Sequence, residues 1–128
     1  MRKFFPVLMV SLLLSGCSTT GSSRWARSEV FFGLSRPDGP MITNTEWQAF
    51  VNEVVTPKFP AGLTIVDSAG QWRNANGRIE QEPSKMLVLL HPQSPTIDAQ
   101  IDEIRALYRQ RFNQEAVMKV TSAAHVAF

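Results

Sequence analysis

The side chains able to do chemistry fall into a few small groups. Arg36 and Asp38 stand in Ser35-Arg36-Pro37-Asp38-Gly39, a turn segment that would hold a guanidinium and a carboxylate on a rigid corner. Trp72 next to Arg73 offers a flat apolar surface beside a bidentate anion donor, suited to a sugar or an acidic peptide group. Alternatively, Arg73 pairs across a strand ladder with Glu80 while Trp72 packs on the sheet. Arg36, Asp38, Trp72 and Arg73 are the candidate ligand-binding set. Glu80 and Glu82 share a strand face at i and i+2, as a carboxylate pair for acid–base work or as a charged edge that discourages association of sheets. His91 would need an orienting carboxylate and a nucleophile to act as a general base, and nearby Ser94 is better explained as a helix cap. His91 and His125 together make only two metal ligands. Phosphate-loop, dinucleotide, EF-hand and nucleophile-elbow patterns are absent. No catalytic constellation, cofactor or metal is therefore designated, and a non-catalytic role leads.

Cys17, the only cysteine, stands apart from these groups. Arg2-Lys3 is followed by an apolar run from Phe4 to Leu14 and then by Ser15-Gly16-Cys17. A basic start, a short apolar core and a small-residue cleavage site predict a secretory signal over residues 1–16, too short to span a bilayer as a mature helix. A cysteine directly after Leu-Ser-Gly resembles the lipobox of bacterial lipoproteins. The resemblance implies a diacylglycerol on the Cys17 sulfur, cleavage that makes Cys17 the new N-terminus, and acylation of its amine. Ser18 follows where many such lipoproteins carry an aspartate that retains them in the inner membrane. An outer-membrane destination facing the periplasm is therefore implied.

Loss of the signal changes the charge argument. The 128 residues include 13 basic and 11 acidic side chains, but Arg2 and Lys3 leave with the signal. A mature chain with equal numbers of the two has no electrostatic footprint for nucleic acid, which excludes that class of partner. Without a second cysteine the mature domain has no internal disulfide, so its apolar core must hold it together. A hydrophobic content of 44% is enough for that.

The elements that must position these residues follow from periodicity. Residues 17–28, rich in Ser, Thr and Gly, read as a flexible tether, and residues 29–128 as one domain. Val30 to Leu34 predicts a strand. Thr43-Asn44-Thr45-Glu46 fits a capping box, and Trp47, Phe50, Val51, Val54 and Val55 mark one helical face that Pro57 and Pro60 end. Leu63–Asp67 predicts a second strand, resuming at Gln71–Arg73 after an irregularity. Asn76-Gly77 predicts a type I′ hairpin that puts Arg73 opposite Glu80 and Gln71 opposite Glu82. The return strand runs from Ile79 to Leu90, with a bulge expected at Pro83. Ser94 caps a second helix with a stripe of Ile97, Ile101, Ile104, Leu107, Tyr108 and Phe112. Val117–Val120 closes the sheet.

This βαββαβ order predicts a ferredoxin-like α+β sandwich, with an antiparallel sheet ordered 4-1-3-2 and both helices on one face. In that fold Arg36, Asp38, Trp72 and Arg73 share the end of the sheet far from the tether, while His91 lies at the near end. Met86, Val88 and Leu90 alternate with Leu87 and Leu89, so both faces of the third strand are apolar. The face without helices then needs a cover: a second copy in a homodimer, the C-terminal tail, or an envelope partner.

Several stretches also resemble one family. Phe32-Gly33-Leu34-Ser35-Arg36-Pro37-Asp38-Gly39, Glu46 to Val51 with its exit Val55 to Pro60, Gly70-Gln71-Trp72-Arg73, and Ser84 to Pro92 are similar to a small bacterial family known only as domain of unknown function 3574. Its members are often envelope lipoproteins. The resemblance implies a compact secreted domain and carries over no reaction. Two function classes follow: a lipid-anchored binding or accessory module of the envelope, and a small-molecule enzyme of the dimeric α/β-barrel type.

Overall fold

The computed structural model describes residues 24–128. The expected signal, the expected lipid-attachment residue Cys17 and the first part of the expected tether lie outside the described residues. Strand β1 (Trp25–Gly33) leads to helix α1 (Asn44–Phe50), which runs on through a π-helical turn (Val51–Val55) and a last α turn (Thr56–Lys58). Strands β2 (Thr64–Arg73) and β3 (Ile79–Pro92) form a long hairpin, followed by helix α2 (Pro95–Phe112) and strand β4 (Met118–Ala124). The sheet order is β2-β3-β1-β4, fully antiparallel, and both helices pack on one face. The ferredoxin-like sandwich expected from the pattern is the fold observed.

Local chemistry accounts for the helix ends. The Thr43 side chain accepts from the Glu46 N–H while the Glu46 carboxylate accepts from the Thr43 N–H, so two donors at the start of α1 are satisfied reciprocally. The π turn is closed by the Thr56 N–H on the Val51 carbonyl. Its wider winding accommodates Pro57, whose ring would meet the carbonyl four residues back in a regular α-helix. The helix therefore passes through Pro57 and ends at Lys58, between the two prolines expected to end it. α2 opens on the Ser94 cap with Pro95 in its first turn and ends at Asn113 in the left-handed conformation.

The hairpin departs from expectation in one respect. Arg73 pairs with Ile79, Trp72 with Glu80 and Gln71 with Gln81, one residue off the predicted register. Only Gly77 has positive φ in this turn (77°), so the paired positive-φ residues of a type I′ turn are missing. The Asn74 side chain instead accepts from the Asn76 and Arg78 N–H groups and holds a longer turn. The expected irregularity in β2 and bulge at Pro83 are also absent. Pro83 lies beyond the end of β1, where its carbonyl accepts from the Leu34 N–H, so the missing proline N–H faces away from the β2 ladder.

β1 starts at Trp25, so residues 25–28 belong to the sheet and not to the predicted tether. β4 runs correspondingly past Val120 to Ala124, pairing with this extension.

Between sheet and helices lies one continuous core. The Tyr108 ring centroid is 4.7 Å from those of Phe32 and Phe112 and 5.1 Å from that of Phe50, and Trp47 closes on Phe32 at 5.1 Å. The Tyr108 hydroxyl donates to the Gly33 carbonyl at 2.7 Å, which fastens α2 to the end of β1. Lys119 on β4 reaches Asp98 and Asp102 on α2 at 2.7 and 2.8 Å, a second tie between the layers. Phe50→Ala should cost about 3–5 kcal/mol and Tyr108→Phe about 1 kcal/mol in denaturant unfolding. A Phe50→Ala loss below that of Tyr108→Phe would contradict this ranking of packing over the hydrogen bond.

Candidate functional site

The four candidate ligand-binding residues do not converge. The Arg36 guanidinium pairs with Glu46 at 2.5 Å and lies 5.7 Å from the Phe112 ring centre, so it is engaged in tying the β1–α1 loop to the helix layer. Asp38 is exposed at the tip of that loop. Trp72 and Arg73, being successive strand residues, point to opposite faces of the sheet. Trp72, half exposed, stands opposite Glu80 on the face without helices, so the anticipated stacking surface beside an anion donor is not formed.

The glutamate pair also divides. Glu80 accepts from the Asn74 side chain at 2.7 Å and steadies the hairpin turn. Glu82 accepts from the Ser35 N–H at 3.1 Å and lies over Gly33, where an added Cβ would come within 2.5 Å of its carboxylate. Burial raises the Tyr108 hydroxyl well above its ordinary pKa, with the Glu82 charge adding to the effect, so it serves as a donor and not as a base. Glu46 is held down at about 2, chiefly by the Thr43 N–H and then by Arg36 and the Thr43 hydroxyl.

At the end of the sheet where β1 begins, the structure adds a residue that sequence reasoning missed. Ser28, fully buried, lies 2.9 Å from His91 Nε2 and 3.1 Å from the Thr121 hydroxyl. His91 Nδ1 is 2.9 Å from the Pro92 carbonyl, which can only accept. In the neutral imidazole Nδ1 therefore carries the proton and Nε2 accepts from Ser28. The group resembles a nucleophile with an oriented base, but Ser28 is shut off from solvent and the hydroxyls and imidazole satisfy one another. The signal available in the sequence was alternation: Ala26 and Ser28 continue inward-facing Val30 and Phe32 by two steps. His125 lines a separate depression with Arg24 and Trp25. No group of three or more potential metal-ligating side chains occurs among the described residues.

The most extensive candidate surface is the open face of the sheet. Phe31 on β1, Met86 and Leu90 on β3, Val66 on β2, and Met118 and Val120 on β4 lie on the side away from the helices. Leu90, Met118 and Val120 are each about half exposed, at 49%, 56% and 45%. The C-terminal tail lies at the end of this face where β1 begins, and there Phe128 meets Trp25 edge-on at 5.9 Å. Between tail and β2–β3 it leaves a groove of about 510 Å³.

A family model described as "Protein of unknown function (DUF3574)" matches residues 27–128. No curated protein matches the chain. Among solved structures, a phage SAM lyase in complex with S-methyl-5'-thioadenosine is similar with a TM-score of 0.59 at 17% identity, over 80% of this chain and 83% of that one. CutA from Synechococcus elongatus PCC7942 has a TM-score of 0.51 at 12% identity, over 80% and 79% of the two chains. CutA1 from Oryza sativa has a TM-score of 0.51 at 8% identity, over 84% and 87%. At such identities the likeness is one of fold.

Two outcomes test the site geometry. Ser28→Ala leaves the buried His91 acceptor unpaired and should cost about 1–3 kcal/mol, and adding His91→Leu should cost less than the two single changes together. The folded Glu46 value lies below the ordinary 4.5, so its stabilisation is present above about pH 4.5 and is lost as pH falls toward 2. The stability difference between the protein and Glu46→Gln should shrink over that window in urea titrations.

Proposed function

The chain belongs to the DUF3574 family of proteins of unknown function, matched over residues 27–128, and from that premise we propose a lipid-anchored binding module of the bacterial envelope. Cys17 is the attachment point, and the domain faces the periplasm from the outer membrane. It works by contact through the open sheet face, without chemistry of its own. The observation that carries this reading is the row of Phe31, Met118 and Val120 on the β1–β4 half of that face, bordered by the Arg27–Glu29 ion pair and left without a covering layer.

A second copy is the partner this surface fits first. The patch is flat and built on a regular strand pair, so a two-fold axis near β1–β4 would set it against itself. The alternative of a barrel-type enzyme asks for a ligand space between helices and sheet. That space is filled by Phe32, Trp47, Phe50, Tyr108 and Phe112, which favours the contact role.

Residues 24–128 contain every residue of the core cluster. That segment should run as a dimer in size-exclusion chromatography with light scattering, and Met118→Glu or Val120→Glu should return it to a monomer without unfolding it. A monomeric parent would remove the second copy as partner.

A further inference from the structure

The groove over β2 and β3, which also takes in Trp25 and Arg27 of β1, shares no lining residue with the row of Phe31, Met118 and Val120. Val66, Met86, Val88 and Leu90 form its aliphatic floor, and Trp25 and Phe128 its aromatic rim. Its volume falls in the range of small-molecule and lipid-chain sites. Three observations select the occupant.

Position is the first. Trp25 comes eight residues after Cys17, a stretch that spans at most roughly 28 Å when fully extended. An anchored chain therefore keeps this corner of the domain within reach of the bilayer surface. Composition is the second: an aliphatic floor beneath tryptophan and phenylalanine matches the boundary between acyl chains and headgroups. Charge is the third. Residues 24–29 hold Arg24, Arg27 and a single acid, Glu29, which pairs with Arg27 at 2.8 Å. Exposed Arg24 flanks the rim in the adjoining depression, placed for a phosphate group. A concave seat walled by the chain's own tail suits a flexible chain better than the flat sheet of a second copy.

We propose that this groove seats an acyl chain of a phospholipid from the anchoring leaflet, with Arg24 toward the lipid phosphate. The inference rests on the anchored reading and adds a second attachment to it: the domain lies against the membrane by its tether end and is not merely leashed to it.

The test uses the full chain purified from bacterial membranes and returned to phospholipid vesicles carrying brominated acyl chains. Bromine should quench a component of the tryptophan emission that Trp25→Phe removes, leaving the signals of Trp47 and Trp72. Leu90→Glu, at a half-exposed position, should abolish the same component with the circular dichroism spectrum unchanged. Mass spectrometry of the N-terminal peptide reads the anchor independently. A lipid-modified Cys17 with equal quenching in the parent and Trp25→Phe overturns the groove proposal and leaves the anchor standing. An unmodified Cys17 overturns the anchored reading and the groove proposal built on it.

Discussion

The structure depends on an imbalance: β3 is apolar on both faces and β1 adds Phe31 to the open one, while the helices supply only one covering layer. β1 and β3 send Val30, Phe32, Leu87 and Leu89 into the core and Phe31, Met86, Val88 and Leu90 the other way. Burial of the first set against α1 and α2 supplies the main driving force for folding. In the second set Val88 is already buried and Phe31 and Met86 are partly so, while Leu90 stays half exposed. The fold is thus complete in its core, while Leu90, Met118 and Val120 stay about half exposed on the open face.

Polar groups are spent on holding this arrangement together. The Tyr108 hydroxyl, the Glu82 carboxylate and the Gln114 amide converge on backbone atoms from Gly33 to Ser35, just where β1 leaves the sheet. At the opposite end Ser28, His91 and Thr121 lace β1, β3 and β4 through side chains. Each is a buried or half-buried polar group matched by a partner, and such groups fix strand register more firmly than apolar contacts do. The residues that looked most like chemistry in isolation are, in the fold, mainly fasteners.

What was legible in the sequence follows from the range of the forces involved. The capping box at Thr43, the Ser94 cap, both helical stripes and the strand order rest on local pattern, and they appear as read. The double-sided apolarity of β3 was also visible, since alternation along one strand states which side chains share a face. The hairpin register was not, because Asn74 takes over the turn by accepting from two backbone N–H groups, an effect that the Asn-Gly dipeptide conceals. The start of β1 was missed because Ala26 and Ser28 are too small and polar to announce a strand. Their inward positions depend on β3 and β4, some 60 and 90 residues away along the chain. Arg36, Trp72 and Arg73 were grouped by fold end, and the pleat then separated the last two.

The π turn in α1 carries a residue more than a plain α turn would need. That surplus acts as a vernier between the two layers. It lets Trp47 and Phe50 on one side of the turn and Val55 on the other all reach the core, although Pro57 forbids the regular winding that would otherwise align them. The chain then leaves Lys58 through residues 59–63 to β2, whose outward residues are fixed by its register with β3. Taking out one residue there would set the Pro57 ring against the carbonyl four residues before it and turn Val55 by about 100° about the helix axis, away from the core. The place of Val55 in the core is in this sense set by the turn that accommodates Pro57.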